Sequence, residues 1–208
     1  MEAIRKKHRR IPVTRPVTPV PKVLIYEVWN GTPIYYKGYR DVLAGHKTPH
    51  DVIACSDIQG AIVYIIGLFI GNNLNRKKYL ISSNESGLHL APNDILGNDI
   101  TIFDKAQVGK LKGRFFDVPP KVVIEVDIKA DLANFQDEET NYILDKSQKM
   151  LDFGVDKVVW ILTHNRKIIV STRNEKQAII TDWDNDILLL DGCVLNVKQV
   201  LDDEEIAY

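Results

Sequence analysis

Cysteine is scarce: Cys55 and Cys193 lie far apart and form no C-x-x-C pair. That excludes a disulfide framework or a zinc knuckle and points to a reducing compartment. Long apolar runs are missing too. The longest, "AIVYIIGLFI" at 61–70, is about half the roughly 20 residues a transmembrane helix needs, so it reads as a core helix. The start has no apolar h-region of a secretory signal, and the expectation is a cytoplasmic protein with no membrane partner. Net charge is nearly absent, −1 over 208 residues, so whole-molecule charge names no partner. Neither G-x-G-x-x-G nor a Walker loop occurs. No Ser-His-Asp or Cys-His pattern stands at a usable spacing. His46 and His50 are four apart, but Pro49 breaks the helix that would put them on one face for zinc.

What is present is ordinary globular composition, 45% apolar and 26% charged, enough for one sizeable α/β domain or at most two small ones. The charge is unevenly spread. Residues 1–22 carry Arg5, Lys6, Lys7, Arg9, Arg10, Arg15 and Lys22 against the single acid Glu2, with prolines at 12, 16, 19 and 21. Those prolines rule out helix or regular sheet. The segment reads as a flexible basic arm, either a solvated tail or one that adds phosphate affinity. A single domain then occupies 23–208.

Within it, "VLIYEVWNG" and "PIYYKGY" suit a hairpin with Gly31 at the turn. Ser56 or Asp57 can cap a helix running to about Asn72. Strands follow in "KKYLISS", "LHLAP", "DITIFD" and "KVVIEVDIKAD", with the loop "KAQVGKLKGRFFDVPP" before the last of them. "DEETNYILDKSQKMLDF" reads as a helix stopped at Gly154, and "KVVWILTH" and "KIIVST" as two strands joined by "NR". Short strands in "AIITD", "DILLLD" and "CVLNV" precede a closing helical turn. That order predicts an α/β fold around a central mixed β-sheet flanked by helices.

The strand "KVVIEVDIKAD" carries the chemistry. If it stays extended, Glu125, Asp127 and Lys129 share one face and Val122, Ile124, Val126 and Ile128 the other. Buried carboxylates persist only when paired or bound to a metal. Glu125 and Asp127 would lie roughly 6 to 7 Å apart along the strand. Asp99 opens the neighbouring "DITIFD" segment. Two acids from adjacent strands with a lysine nearby are the minimal equipment for Mg²⁺-assisted phosphodiester hydrolysis. The alternative is a solvated charge ladder on an exposed sheet face. Lys110, Lys112 and Arg114 in the preceding loop read as solvated residues or as phosphate contacts.

"PPKVVIEVDIKAD" followed by "DKSQKMLDFGVDKVVWIL" resembles the Uma-type restriction endonuclease family, a bacterial branch of the PD-(D/E)xK nuclease superfamily. The shared pattern is an acid opening a short strand, then an apolar strand ending in glutamate. A helix lysine follows eight residues before Gly-Val, and then a tryptophan-bearing strand. Here these are Asp99, Glu125, Lys146, Gly154-Val155 and Trp160, and Tyr26, Glu27 and Gly31 match the family's opening more weakly. The resemblance implies a restriction-endonuclease-like fold and a Mg²⁺-dependent endodeoxyribonuclease, with Mn²⁺ as a substitute ion. Its substrate would be DNA, and a homodimer is compatible with cutting both strands of a duplex. Asp99, Glu125 and the Val126 carbonyl would bind the ion. Lys146 is the preferred catalytic lysine, with Asp127 and Lys129 in support. Asp127 stands where the superfamily lysine usually sits, and Lys129 completes a D-x-K triplet shifted by two. Asp94 rivals Asp99, because Asn98 replaces the usual preceding proline. Glu27 reads as an ordinary strand residue or a supporting acid. The departure at Asp127 keeps a second class of function open: a nuclease-like fold without catalysis that binds nucleic acid or protein.

Overall fold

Two short strands, Ile25–Trp29 (β1) and Thr32–Tyr35 (β2), pair antiparallel across Asn30 and Gly31. Both turn residues are left-handed, φ 48° and 82°, the combination a two-residue type I′ turn demands. The structure, a computed structural model, describes residues 19–208 apart from 134, 136 and 137. The expected basic arm therefore lies outside the described residues as far as residue 18.

Short helices Tyr39–Leu43 (α1) and His50–Ile53 (α2) lead to Asp57–Asn73 (α3). Ser56 caps α3 by accepting from Gln59 N at 3.2 Å. Strands Tyr79–Ala91 (β3) and Asp94–Asp104 (β4) form a long antiparallel hairpin, and one turn of helix follows at Lys105–Val108 (α4). Val122–Val126 (β5), Glu138–Phe153 (α5) and Lys157–Leu162 (β6) make a crossover unit in which β5 and β6 run parallel. Lys167–Thr172 (β7) and Ile179–Asp182 (β8) extend the sheet antiparallel. Ile187–Leu190 (β9) and Cys193–Leu195 (β10) form a separate hairpin before Val197–Asp203 (α6).

The main sheet has eight strands among the described residues, in the order β2-β1-β4-β5-β6-β7-β8, with β3 on β4 as well. It is mixed but mostly antiparallel. One face packs against α3 and α6 through Ile62, Ile66, Ile70, Val197 and Leu201. The other packs against α5 through Tyr142, Ile143 and Met150. Each buried isoleucine contributes about 1.5–3 kcal/mol, so the 61–70 run is a core helix as expected. With helices on both sides, β5 is buried at every position, which explains why all its residues but Glu125 are apolar. No helix among the described residues is long and apolar enough to cross a membrane.

Two expectations need correction. "KKYLISS" and "LHLAP" are one strand, β3, interrupted by a bulge at Asn84 and Glu85 with φ 68° and 56°. The charged row Glu125, Asp127, Lys129 does not exist as a row. The strand ends at Val126 and Asp127 is left-handed, φ 58°, so side-chain alternation stops one residue after Glu125. Local sequence still reads apolar-charged-apolar there. The reversal is enforced from the turn after β6, where Thr163 N and Oγ1 donate to the Asp127 carboxylate at 2.8 and 2.6 Å.

Candidate active site

The site arises where three strands meet. One edge of β4 is occupied by β3, while its other edge carries β1 at Ile95 and β5 from Ile100 onward. Between those two registers the edge is open, and side chains from β1, β4, β5 and α5 converge on it. The bulge in β3 skips Asp99: its neighbours Asn98 and Ile100 pair with Ser86 and Ser83. Asp99 is thus freed from ladder constraints at that point.

Asp99 Oδ2 accepts the Val126 amide at 2.8 Å, and Gln59 Nε2 lies 3.5 Å from the same oxygen. Gln59 Nε2 also donates to the Val126 carbonyl at 2.7 Å. Side chains from β4 and α3 therefore satisfy the last backbone groups of β5, as buried peptide groups require. The Asp99 carboxylate is held against the peptide joining Glu125 to Val126. Its Oδ1 faces Lys129 Nζ at 3.6 Å, and Lys129 reaches Glu85 Oε1 at 2.5 Å.

Behind this pair lies a second, fully buried cluster. Lys146 Nζ sits 2.7 Å from Glu27 Oε1 and 3.1 Å from Glu125 Oε1, and donates to the Gly97 carbonyl at 2.9 Å. Its side chain and that of Glu27 have no exposure, and Glu125 has 1%. Trp29 Nε1 and Tyr142 OH donate to Glu27 Oε2 at 2.9 and 3.1 Å. The rings of Trp160 and Tyr26 stand 5.4 and 5.5 Å from the ammonium, a favourable setting for a desolvated cation. Trp160 Nε1 in turn donates to Ser147 Oγ at 3.0 Å, which fixes α5 beside the cluster.

The electrostatics follow from one cation facing two acids out of water. Burial raises the Glu125 carboxyl to about 8; Lys146 opposes that shift, and Asp99 and Glu27 add to it. Burial works to lower the Lys146 ammonium, but Glu125 and Glu27 outweigh it and hold it well above the ordinary lysine range. Lys146 therefore stays charged, and Glu125 keeps its proton to a higher pH than an ordinary carboxyl does. The close approach of Lys146 to Glu125 is an ion-pair contact without hydrogen-bond alignment, since Glu125 Oε1 has no donor.

The residues singled out by sequence divide accordingly. Asp99, Glu125, Val126, Lys129 and Lys146 come together around the β4–β5 junction. Asp127 is engaged with Thr163. Asp94 pairs with Lys149 at 2.8 Å, at the opposite end of β4. Glu27 is a full partner of the buried lysine. Gln59 and Glu85 escaped notice. Gln59 is a polar residue on the helical face bearing Ile62, Ile66 and Ile70, a detectable signal. Glu85 reaches the site through a bulge that the sequence does not announce. Among the described residues no three or more His, Cys, Asp or Glu side chains are grouped to hold a metal. A cavity of about 440 Å³ opens onto Asp99, Lys129, Glu85, Gln59 and Cys55.

No protein-family model matches the chain, and no curated protein matches it significantly. Among solved structures, the chain is similar to the crystal structure of a putative nuclease belonging to DUF820 from Anabaena variabilis. The TM-score is 0.62 at 12% identity, covering 85% of this chain and 89% of that one. The chain shares the mixed α/β fold of that structure.

Proposed function

We propose that this chain is a Mg²⁺-dependent endonuclease of the PD-(D/E)xK kind, acting on DNA in the cytoplasm and similar to the Uma-type family. The observation that carries the reading is the Asp99 carboxylate bonded to the Val126 amide, which brings the acids of β4 and β5 to one peptide. Asp99, Glu125 and the Val126 carbonyl would hold the ion. They suit it chemically, being hard oxygen donors. Glu125 Oε1 lacks a hydrogen-bond donor among the described residues, Asp99 Oδ1 faces Lys129 at 3.6 Å, and the Val126 carbonyl keeps one lone pair beyond the Gln59 bond. Mg²⁺ is commonly bound by one or two carboxylates completed by substrate phosphate and water, so a third acid is not required. The chemistry such an ion supplies is charge neutralisation at the phosphoryl group and acidification of water.

The chain's own residues then have separable roles. Lys129, at the cavity beside Asp99, is placed to contact a phosphoryl oxygen and stabilise charge that builds up on it. Lys146 reaches no solvent and acts as a positioning residue, holding Glu125 and Glu27 in place. That assignment reverses the preference for Lys146 as the catalytic lysine. A dimer with two dyad-related sites would cut both strands of a duplex.

Plasmid nicking with Mg²⁺ or Mn²⁺ tests the reading. Asp99→Asn and Glu125→Gln should each lower the rate on the order of 10²-fold or more. Cleavage that survives both changes identifies a contaminant and removes the proposal. The second reading, a binding module without catalysis, is favoured by the complete burial of Glu125 and Lys146 and by Asp127 in the usual lysine place. It predicts DNA binding with no cleavage in any divalent ion.

A further inference from the structure

The loop between α4 and β5 is anchored at one point and open elsewhere. Phe116 N donates to the Gly87 carbonyl at 2.9 Å, and the Phe116 carbonyl accepts from His89 N at 2.8 Å. The Phe116 ring stacks on buried Phe103 with centroids 4.2 Å apart. Phe115, one residue earlier, is 53% exposed and lies against the backbone of Gly87. A Cβ at position 87 would meet the Phe115 ring at 2.4 Å, so glycine there makes the seat for that ring. Ahead of it, Lys110 and Lys112 have no acidic partner among the described residues, and Arg114 pairs with exposed Asp117 at 2.5 Å. These cations, Phe115 and Asn84 line a cavity of about 720 Å³. Asn84 also lines the cavity that holds Asp99 and Lys129, so the two spaces adjoin at the β3 bulge.

We infer that residues 110–115 bind a single-stranded segment of DNA running from the Asp99 cavity, with the cationic side chains on phosphates and Phe115 stacked on a base. This rests on the nuclease reading for the chemistry of the strand. The unpaired Lys110 and Lys112 favour phosphate, and a seated, half-exposed aromatic ring offers a platform that a base inside a duplex cannot use. The occupant is therefore a single strand.

The test is fluorescence anisotropy in EDTA, with a labelled oligothymidine and the same oligonucleotide annealed to its complement, at several salt concentrations. The wild-type full chain should prefer the single strand. Lys110→Ala/Lys112→Ala should reduce the slope of log K against log salt by about 1.4, two phosphates at roughly 0.7 each. Phe115→Ala should weaken single-strand binding about fivefold or more and leave that slope unchanged. Gly87→Ala should act similarly by displacing the ring; Phe115→Ala, at an exposed position, keeps the test sound if Gly87→Ala misfolds. Unchanged affinity and slope in the lysine variant would overturn the inference, as would equal losses for single strand and duplex in Phe115→Ala. A protein that binds as described but cuts nothing supports this inference and removes the nuclease reading alone. One that cuts plasmid DNA while both loop variants bind normally removes this inference alone.

Discussion

Lys146 on α5 and Glu27 on β1 meet at 2.7 Å with no exposure on either side chain, although 119 positions separate them in the chain. The contact ties the first hairpin to the crossover helix through the middle of the molecule. Breaking such a buried pair from one side leaves the other charge stranded, typically about 3–5 kcal/mol. Lys146→Met should lose stability of that order in urea unfolding. Lys146→Met combined with Glu27→Gln should recover part of it, because neither partner is then left as an unpaired charge. Equal losses in the single and double variants would show that packing, not charge, holds the two elements together.

Glu125 makes stability depend on pH. Its carboxyl moves from an ordinary 4.5 to about 8 on folding, chiefly through burial. Between those values the folded protein retains a proton that the unfolded chain has lost, so stability falls as pH rises. The contribution is fully present below about 4.5 and lost as pH rises through about 8. Unfolding free energies near both ends of that window should decline for the wild type and stay flatter for Glu125→Gln. Parallel curves would place the proton elsewhere.

Asp127 should prove structural. Asp127→Ala removes two hydrogen bonds to Thr163 and puts alanine at φ 58°, a left-handed conformation costing about 1–2 kcal/mol. A total loss of about 2–3 kcal/mol in thermal or urea unfolding is expected. Asp127→Gly relieves the backbone but not the lost bonds, and should fall in between. Cleavage, where present, should change little in either variant once the protein is folded.

Lys129 and Lys146 should separate activity from stability. Lys129 keeps 14% side-chain exposure and lines the cavity, so its acidic partners can be reached by solvent, and Lys129→Met should cost less stability than Lys146→Met. It should lower nicking by on the order of 10²-fold. Its ammonium is raised by Asp99 and Glu85 against the effect of burial, so deprotonation below pH 9 should not limit the rate. A Lys129→Met protein that nicks DNA normally would return the catalytic role to Lys146.

Much of this fold is legible along the chain because its causes are local. The Asn30-Gly31 turn, the Ser56 cap, the stop at Gly154 and the apolar run of β5 each depend on residues a few positions apart. Asp99 is a partial case: it reads as the opening of a strand, but β4 already begins at Asp94, so Asp99 lies mid-strand, opposite the β3 bulge. Lys146 illustrates the limit. Its helix face, with Tyr142, Lys149, Met150 and Phe153, suits a lysine that reaches outward to solvent. It turns inward because Glu27 and Glu125 stand across from it, and Glu27 arrives on a strand that pairs with the far end of β4.

The sequence by itself determined most of the strand segments, though not where β3 joins or β5 stops, together with the two long helices and the acids available for chemistry, since hydrophobic period, caps and turn residues act over short distances. Tertiary structure alone decided which charges meet. Three decisions came from it: the bulge of β3 beside Asp99, the left-handed turn at Asp127, and the burial of Lys146 between two glutamates. Each is set by a partner on another strand or helix, and pairing between distant segments leaves no periodic trace in either one.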